Sequence, residues 1–134
     1  MASCGIEASG AKEGPSGKAL EEMCEVCVTG PDGAALAELT RRLVEARICA
    51  CGHNFSEIRS IYRWRGQIYD HAEARVALHT RRSLVPLLVE EVKRQHPYQV
   101  PAVFVLSLIG GNQEYLQWIL DETGPRARGD PLLD

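Results

Sequence analysis

The side chains of this chain that could ligate a metal ion or act as nucleophiles are mainly its five cysteines and four histidines. Cys49 and Cys51 lie in the stretch ICACGHNF, which has the composition of an extended segment, and side chains two residues apart on a strand share a face. Two soft sulfur donors on one face suit Cu(I), which makes copper the candidate cofactor. His53 adds a third ligand only if Gly52 does not turn it away. A buried structural pair explains the same spacing.

The remaining cysteines indicate core positions. Cys24 and Cys27 form a CxxC pattern, but residues three apart on a strand point to opposite faces, so their sulfurs do not converge. The cysteine count is odd, and the first residues lack the apolar segment of a signal peptide. These two features predict free thiols and a cytoplasmic location.

The loop HPYQVP is a second place where chemistry is expected, and two readings of it stay open. In the first, His96 and Tyr98 line a cleft whose rings and guanidinium groups bind a planar or anionic small molecule. The other residues of that cleft are Tyr62, Arg63 and Trp64. In the second reading the two prolines end a helix and begin a strand, and Tyr98 packs as a corner.

No motif assigns a catalytic residue, because the sequence contains no nucleophile elbow, P-loop, dinucleotide fingerprint or metalloprotease signature. His79 and His96 are the candidates for a general acid or base, the usual role of imidazole near neutral pH. His71 shares the strand face of His79 but is too distant to share a metal ion within one strand, and we expect a solvated or salt-bridged ring there.

Length and charge limit the class of protein. The 134 residues suffice for one globular domain, and a net charge of -3 provides no basic field for nucleic acid or an anionic membrane. No apolar stretch is long enough to span a bilayer. The composition predicts a disordered tail over residues 1–22 and a folded domain over residues 23–123. It predicts a flexible tail over residues 124–134.

The first half of the chain predicts a strand, a helix and two extended segments. MCEVCVTG reads as a short strand, and Asp32 is expected to cap the helix that follows. The apolar stripe of that helix comprises Leu36, Leu39, Leu43 and Ala46. ICACGHNF and EIRSIYRW read as extended chain with a bulge or bend at Gly52, and Gly66 predicts a turn.

The second half predicts a strand, a helix, a strand and a last helix. After the turn, Ala72, Ala74, Val76 and Leu78 alternate with polar residues. Ser83 is expected to cap the second helix, whose stripe comprises Leu84, Leu87, Leu88, Glu91 and Val92. AVFVLSLI is apolar on both faces and predicts a strand covered on both sides. Asn112 is expected to cap the last helix.

The order of these elements is β-α-β-β-α-β plus a C-terminal helix, which predicts an α+β fold of the ferredoxin-like type. Helices cover only one face of such a sheet. Because AVFVLSLI is apolar on both faces, we expect another copy of the chain to cover the second face.

Four segments resemble the CutA family, the divalent-cation tolerance proteins: VTGPDGAALAELTRRLVEARICAC, SIYRWRGQI, TRRSLVPLLVEEVKRQHPYQVP and GNQEYLQWI. They follow the family's order and spacing from Val26 to Glu122. The resemblance implies a ferredoxin-like protomer in a tight homotrimer. That architecture is similar to the PII signalling proteins, which bind small ligands in clefts between subunits.

The chain also departs from the family pattern. Arg65 replaces a usual acid, and Gln67 and His79 stand where lysines are common. The positions that the family associates with metal are here Val28, Gln95 and Ala102. None of the three offers an imidazole, thiolate or carboxylate, so copper binding by the family's route is not expected.

Three functions follow from this reading. The first is a non-enzymatic homotrimer that binds a divalent or soft metal ion, or a small molecule, at inter-subunit clefts. The second is an enzyme that uses the same cleft in a biosynthetic pathway, with His79 or His96 as acid or base. The third is a scaffold whose tails recruit a partner. The expected ligand-binding residues are Tyr62, Arg63, Trp64, Arg65, His79, His96 and Tyr98, and the expected metal ligands are Cys49 and Cys51.

Overall fold

The computed structural model describes residues 22–98 and 100–125, so most of both predicted tails lies outside the described residues. In chain order the elements are β1 Met23–Gly30, α1 Gly33–Glu45, β2 Cys51–Trp64, β3 Gln67–Arg81, α2 Val85–Gln95, β4 Val103–Leu108 and α3 Gln113–Asp121. A 3-10 turn, Arg82–Leu84, precedes α2. None of these helices is long and apolar enough to cross a membrane.

The four strands form one antiparallel sheet in the order β2-β3-β1-β4. This order, with a helix after β1 and another after β3, is the ferredoxin-like arrangement, and it confirms the predicted fold class. Alternation along β1 sends Val26 and Val28 into the core beneath α1 and α2, while Glu25 and Cys27 point to the opposite face.

Helix α1 begins as the sequence predicts. Asp32 is its N-cap, and the carboxylate accepts a hydrogen bond of 3.0 Å from the backbone N–H of Ala34. The buried stripe includes Thr40, whose hydroxyl donates to the carbonyl of Leu36. The prediction for Ala46 is wrong, because Ala46 is the exposed C-cap and lies beyond the last helical turn that faces the sheet.

The bulge predicted at Gly52 is displaced. β2 runs without a break from Cys51 to Trp64, and its register shifts between Ser56 and Ile58. Gly52 instead allows close packing: a Cβ atom there would lie 2.6 Å from Thr40 Cγ2 and 2.8 Å from Leu78 Cδ2. The glycine is required because side chains of α1 and of the neighbouring strand β3 both pack against it.

The turn predicted at Gly66 joins β2 to β3 in a tight hairpin. Arg65 and Gly66 both have positive φ, 50° and 80°, and Trp64 pairs with Gln67 across the turn. Two central residues in this conformation match the right-handed twist of the flanking strands. The outer half of the hairpin is exposed and carries several large apolar residues: Phe55, Ile61, Tyr62, Trp64, Ile68 and Tyr69.

The start of α2 differs from the prediction. Ser83 lies inside the 3-10 turn, and the N-cap of α2 is Leu84, which makes no side-chain capping bond. Pro86 occupies the first turn, as expected. Leu88 and Val92 are buried, but Leu87 is 46% exposed, so the inward stripe is narrower than its apolar pattern suggests.

The second face of the sheet is partly covered by the chain itself. Helix α3 packs there, and Ile119 forms a small apolar cluster with Met23 and Ala50. Asn112 is its N-cap but makes no side-chain capping bond. β4 is an edge strand that stays largely exposed, with Phe104 and Leu106 both 46% exposed. Within one protomer, β4 is therefore not covered on both sides.

Candidate functional site

A cavity of about 410 Å³ lies between the tip of the β2–β3 hairpin and the loop after α2. Its lining residues are Thr29, Tyr62, Trp64, Arg65, Glu73, Pro97, Tyr98, Val100 and Ala102. The alternation of β2 sends Tyr62 and Trp64 to the same face, which explains why both rings reach this cavity. The motifs SIYRW and HPYQVP, which are far apart in sequence, meet here.

The polar groups of the cavity are tied together. The hydroxyl of Tyr98 donates a 2.7 Å hydrogen bond to the carboxylate of Glu73, a residue that is 6% exposed. Burial, reinforced by this carboxylate, raises the pKa of Tyr98 to about 12. The guanidinium of Arg65 lies 5.2 Å from the centre of the Trp64 ring, a cation–π arrangement.

Three of the predicted ligand-binding residues do not line this cavity: Arg63, His79 and His96. Both nitrogens of His96 are engaged by the backbone. Its Nε2–H donates to the carbonyl of Thr29 at 2.6 Å, and its Nδ1 accepts from the N–H of Tyr98 at 3.1 Å. This pattern fixes one neutral tautomer and favours a structural role for His96 within the loop.

A second group of polar side chains lies on the sheet face that α3 partly covers. Cys51 and His79 are direct cross-strand partners, and His53 follows Cys51 on the same face of β2. The Sγ of Cys51 is 3.9 Å from His79 Nδ1 and 3.3 Å from the hydroxyl of Tyr115. The other ring nitrogen of His79 lies 2.8 Å from Glu25 Oε1. Cys51, His53 and His79 offer ligand atoms that all lie within 4.8 Å of one another.

The electrostatics of this group bring the pKa values of Cys51 and His79 closer together. Burial acts to raise the pKa of Cys51, but hydrogen bonds from His79 and Tyr115 and the charge of His79 lower it overall. The hydrogen bond to Cys51 raises the pKa of His79 against the effect of burial, and Glu25 adds to the rise. Burial and the neighbouring Cys51 raise the pKa of Tyr115, which keeps the phenol protonated.

The structure contradicts the geometry predicted for Cys49 and Cys51. β2 begins at Cys51, so Cys49 precedes the strand and lies in the main core with 0% exposure. Burial and the neighbouring Cys51 raise the pKa of the Cys49 thiol to about 12. The two cysteines therefore do not share an accessible strand face, because the chain turns inward before β2 starts.

The other described cysteines behave as expected. Cys24 and Cys27 are buried, and all four cysteines among the described residues are free thiols. The Sγ of Cys27 accepts a 3.1 Å hydrogen bond from Arg75, whose guanidinium lies 6.0 Å from the centre of the Phe104 ring. Cys4 lies outside the described residues.

The positions that the family resemblance associates with metal do not form a metal site here. Val28 is fully buried in the core, and the amide oxygen of Gln95 accepts a hydrogen bond from Arg42. Ala102 lines the cavity but has no donor atom. Hydrocarbon side chains cannot ligate a cation, so these residues do not fit the metal that the family name implies.

Sequence reasoning missed Glu25, Glu73 and Tyr115. The alternation of β1 and β3 could have placed Glu25 and His79 on one face, since their strands are neighbours in a ferredoxin-like sheet. The apolar stripe of the last helix in the sequence is Tyr115, Leu116, Ile119 and Leu120, so Tyr115 reads there as a core residue. Its hydroxyl is 2.6 Å from His79 Nδ1, a contact that depends on how α3 docks.

Comparison with known proteins places the chain among its relatives. Residues 24–122 match the family model described as CutA1 divalent ion tolerance protein. The divalent-cation tolerance protein CutA of Thermus thermophilus is 36% identical over 105 residues, which span 78% of this chain and all of that protein. Protein CutA of Homo sapiens is 36% identical over 115 residues, which span 86% of this chain but only 64% of the human protein. The crystal structure of CutA1 from Oryza sativa superimposes with a TM-score of 0.75 at 35% identity, covering 78% of this chain and 95% of that one.

Proposed function

The chain belongs to the CutA1 divalent ion tolerance protein family, and from that premise we propose that it is a non-enzymatic, homotrimeric binding protein. Its ligand is a small planar molecule that carries an anionic group, and the ligand site is the cavity between the hairpin tip and the HPYQVP loop. The observation that carries the proposal is the convergence of Tyr62, Trp64, Arg65 and Tyr98 on this one cavity.

The lining of the cavity suits such a ligand. The rings of Tyr62, Trp64 and Tyr98 offer faces against which a planar molecule stacks. Arg65 stacks on Trp64 and brings a positive charge to the rim, where a carboxylate or phosphate can accept its N–H groups. The carboxylate of Glu73 already accepts a hydrogen bond from Tyr98, which reduces its repulsion of an anion.

Exposed apolar surface on one protomer supports the homotrimer. The edge strand β4 presents Phe104, Val105 and Leu106, each more than 40% exposed. Exposed apolar edge strands are an aggregation hazard unless another chain covers them. In addition, Arg75 Nε is buried without a hydrogen-bond partner among the described residues, and an acceptor from a neighbouring subunit would satisfy it.

The enzyme alternative required His79 or His96 to act at the cleft. Neither residue lines the cavity, and both nitrogens of His96 already bond to the backbone. This placement favours binding over catalysis at the cavity.

A copper ion on Cys49 and Cys51 has less support for a similar reason, because Cys49 is fully buried in the apolar core. The cytoplasmic location stays a prediction.

The two tryptophans of the chain make the binding proposal testable by fluorescence. Trp64 lines the cavity and Trp118 lies on α3, and each is 39% exposed. Nucleoside monophosphates and aromatic carboxylates are titrated into the Trp64→Phe and Trp118→Phe variants. A bound compound should quench the tryptophan fluorescence of Trp118→Phe, because this variant retains Trp64. The fluorescence of Trp64→Phe should not change.

The affinity of any compound found in this way should fall about 5–150-fold in Trp64→Ala, since stacking on one aromatic side chain contributes about 1–3 kcal/mol. Trp118→Ala is the matched control and should keep full affinity. Quenching that persists in Trp64→Phe would place the ligand elsewhere, and the absence of quenching with both compound classes would contradict the proposed ligand.

A further inference from the structure

We propose that Cys51, His53 and His79 form a binding site for a divalent transition-metal ion of borderline softness, such as Zn²⁺. The site is separate from the cavity above, because none of these three residues lines it. It also uses none of the positions that the family resemblance associates with metal. The proposal rests on the relative positions of the three side chains and on the groups behind them.

The strand register assembles the three ligands. Cys51 on β2 pairs directly with His79 on β3, and His53 is two residues further along the same face of β2. The Sγ and ring-nitrogen atoms of the three lie within 4.8 Å of one another. The rings of His53 and His79 meet edge to face, with centroids 5.4 Å apart, so the two imidazoles are direct neighbours.

The distances between these ligand atoms are close to those found around a bound ion. Tetrahedral zinc with Zn–S near 2.3 Å and Zn–N near 2.0–2.1 Å separates its ligand atoms by about 3.3–3.6 Å. Cys51 Sγ and His79 Nδ1 are 3.9 Å apart, so a contraction of a few tenths of an ångström closes that pair. His53 is exposed and can rotate to complete the set.

Glu25 supplies the support that metal-binding histidines usually have. Its carboxylate lies 2.8 Å from His79 Nε2 and accepts the Nε2–H, so Nδ1, the nitrogen that faces Cys51, is the one that a bound ion would take in place of a proton. A carboxylate behind a ligating imidazole fixes the tautomer and the ring orientation. The side chain of His79 is only 12% exposed, which further restrains the ring.

The donor set determines the class of ion. One thiolate with two imidazoles suits Zn²⁺ and similar divalent ions, whereas Mg²⁺ and Ca²⁺ require oxygen ligands. Three protein ligands leave a fourth position open for water. The hydroxyl of Tyr115, 3.3 Å from Cys51 Sγ and 2.6 Å from His79 Nδ1, occupies this region and can hydrogen-bond to that water.

The test uses the full chain, freed of metal by a chelator and kept reduced, with Co²⁺ as the spectroscopic probe. We expect one Co²⁺ per chain and a near-ultraviolet charge-transfer band that reports a thiolate–cobalt bond. Zn²⁺ should displace the cobalt and abolish the band. The band should be absent in Cys51→Ser and retained in Cys49→Ser, which removes the neighbouring buried thiol.

Variants of the imidazoles and of Glu25 give independent readouts. His53→Asn changes an exposed side chain, so the fold is retained, and the Zn²⁺ affinity measured against a competing chelator should fall at least about tenfold. Glu25→Gln should weaken Zn²⁺ binding by about 10–100-fold. The matched control is His71→Asn, because His71 is an exposed histidine on the hairpin that contacts Tyr62 and not this cluster.

The results that would overturn the proposal are specific. They are the absence of a charge-transfer band in the wild type, a band that survives in Cys51→Ser, or equal losses of affinity in His53→Asn and His71→Asn. Cu(I) titration gives a further discrimination, because binding that depends on Cys49 and not on His53 would indicate a two-cysteine copper site instead. None of these outcomes depends on the fluorescence of Trp64, so the metal site and the ligand cavity can fail separately.

Discussion

The hydroxyl of Tyr98 donates a hydrogen bond of 2.7 Å to the carboxylate of Glu73, and this contact joins the loop after α2 to strand β3. Glu73 is almost completely buried, so its carboxylate depends on this partner. The bond also fixes the ring of Tyr98 in the wall of the cavity. One phenol therefore contributes both to the packing of the fold and to the wall of the cavity.

Removal of that hydroxyl should destabilise the fold. In Tyr98→Phe the buried Glu73 carboxylate loses its donor, and we expect the free energy of unfolding to fall by about 1–3 kcal/mol. Urea denaturation followed by circular dichroism measures this change. Tyr69→Phe, at an exposed position of the hairpin, is the control and should change stability by less than about 0.5 kcal/mol. Equal effects of the two substitutions would contradict the role given to the Tyr98–Glu73 bond.

The same phenol predicts a loss of stability at alkaline pH. The pKa of Tyr98 is raised from 10.0 to about 12, chiefly by burial and then by Glu73. A raised pKa in the folded state means that the unfolded chain loses its proton first, so the stabilisation is complete below pH 10 and is lost as the pH rises towards 12. Stability measured across this range should fall less steeply in Tyr98→Phe than in the wild type. Parallel stability curves for the two proteins would show that the pKa of Tyr98 is not higher in the folded state than in the unfolded state.

Close packing at Gly52 predicts that even one added methyl group is harmful. In Gly52→Ala the new Cβ meets Thr40 Cγ2 at 2.6 Å and Leu78 Cδ2 at 2.8 Å, and both neighbours are packed in the core. We expect a loss of about 1–3 kcal/mol in the free energy of unfolding. Gly110→Ala is the matched control, since a Cβ there has nothing within 4 Å. A stable Gly52→Ala would mean that the side chains of Thr40 and Leu78 can shift at little cost.

The apolar edge strand predicts the oligomeric state. Light scattering coupled to size exclusion should give the mass of a trimer at micromolar concentration. Leu106→Glu should shift the mass towards the monomer, because it places a charge on β4, where we expect a neighbouring subunit. Leu87→Glu on α2 is the control, since Leu87 has the same 46% exposure as Leu106 but lies in the helix layer. A monomeric wild type would contradict the homotrimer.

Burial predicts the order in which the thiols react. Cys24, Cys27 and Cys49 are buried, whereas Cys51 is the partly exposed cysteine among those described. In the folded, reduced protein Cys51 should therefore react with iodoacetamide before these three, and Cys51→Ser should remove that early label. After denaturation without reductant, all five cysteines should be labelled. Protection of any pair would reveal a disulfide and would contradict the prediction of free thiols.

The sequence by itself determined the elements whose signals are local. The strand β1, the N-cap at Asp32 and the hairpin turn at Gly66 all depend on residues within a few positions of one another. The order of the elements then predicted the ferredoxin-like sheet, since few topologies accommodate that order. The meeting of SIYRW with HPYQVP was one of two open readings, and it needed the structure to place both motifs on one cavity.

Tertiary structure alone decided which side chains share a site. Cys49 and Cys51 are separated because β2 begins between them, where the chain leaves the core, and no periodicity in ICACGHNF marks that point. Glu25, His79 and Tyr115 come from three different elements and meet only through strand register and the docking of α3. Local patterns reveal which face of an element is apolar, but contacts between distant residues depend on how those faces pack, and that is set by the whole core at once.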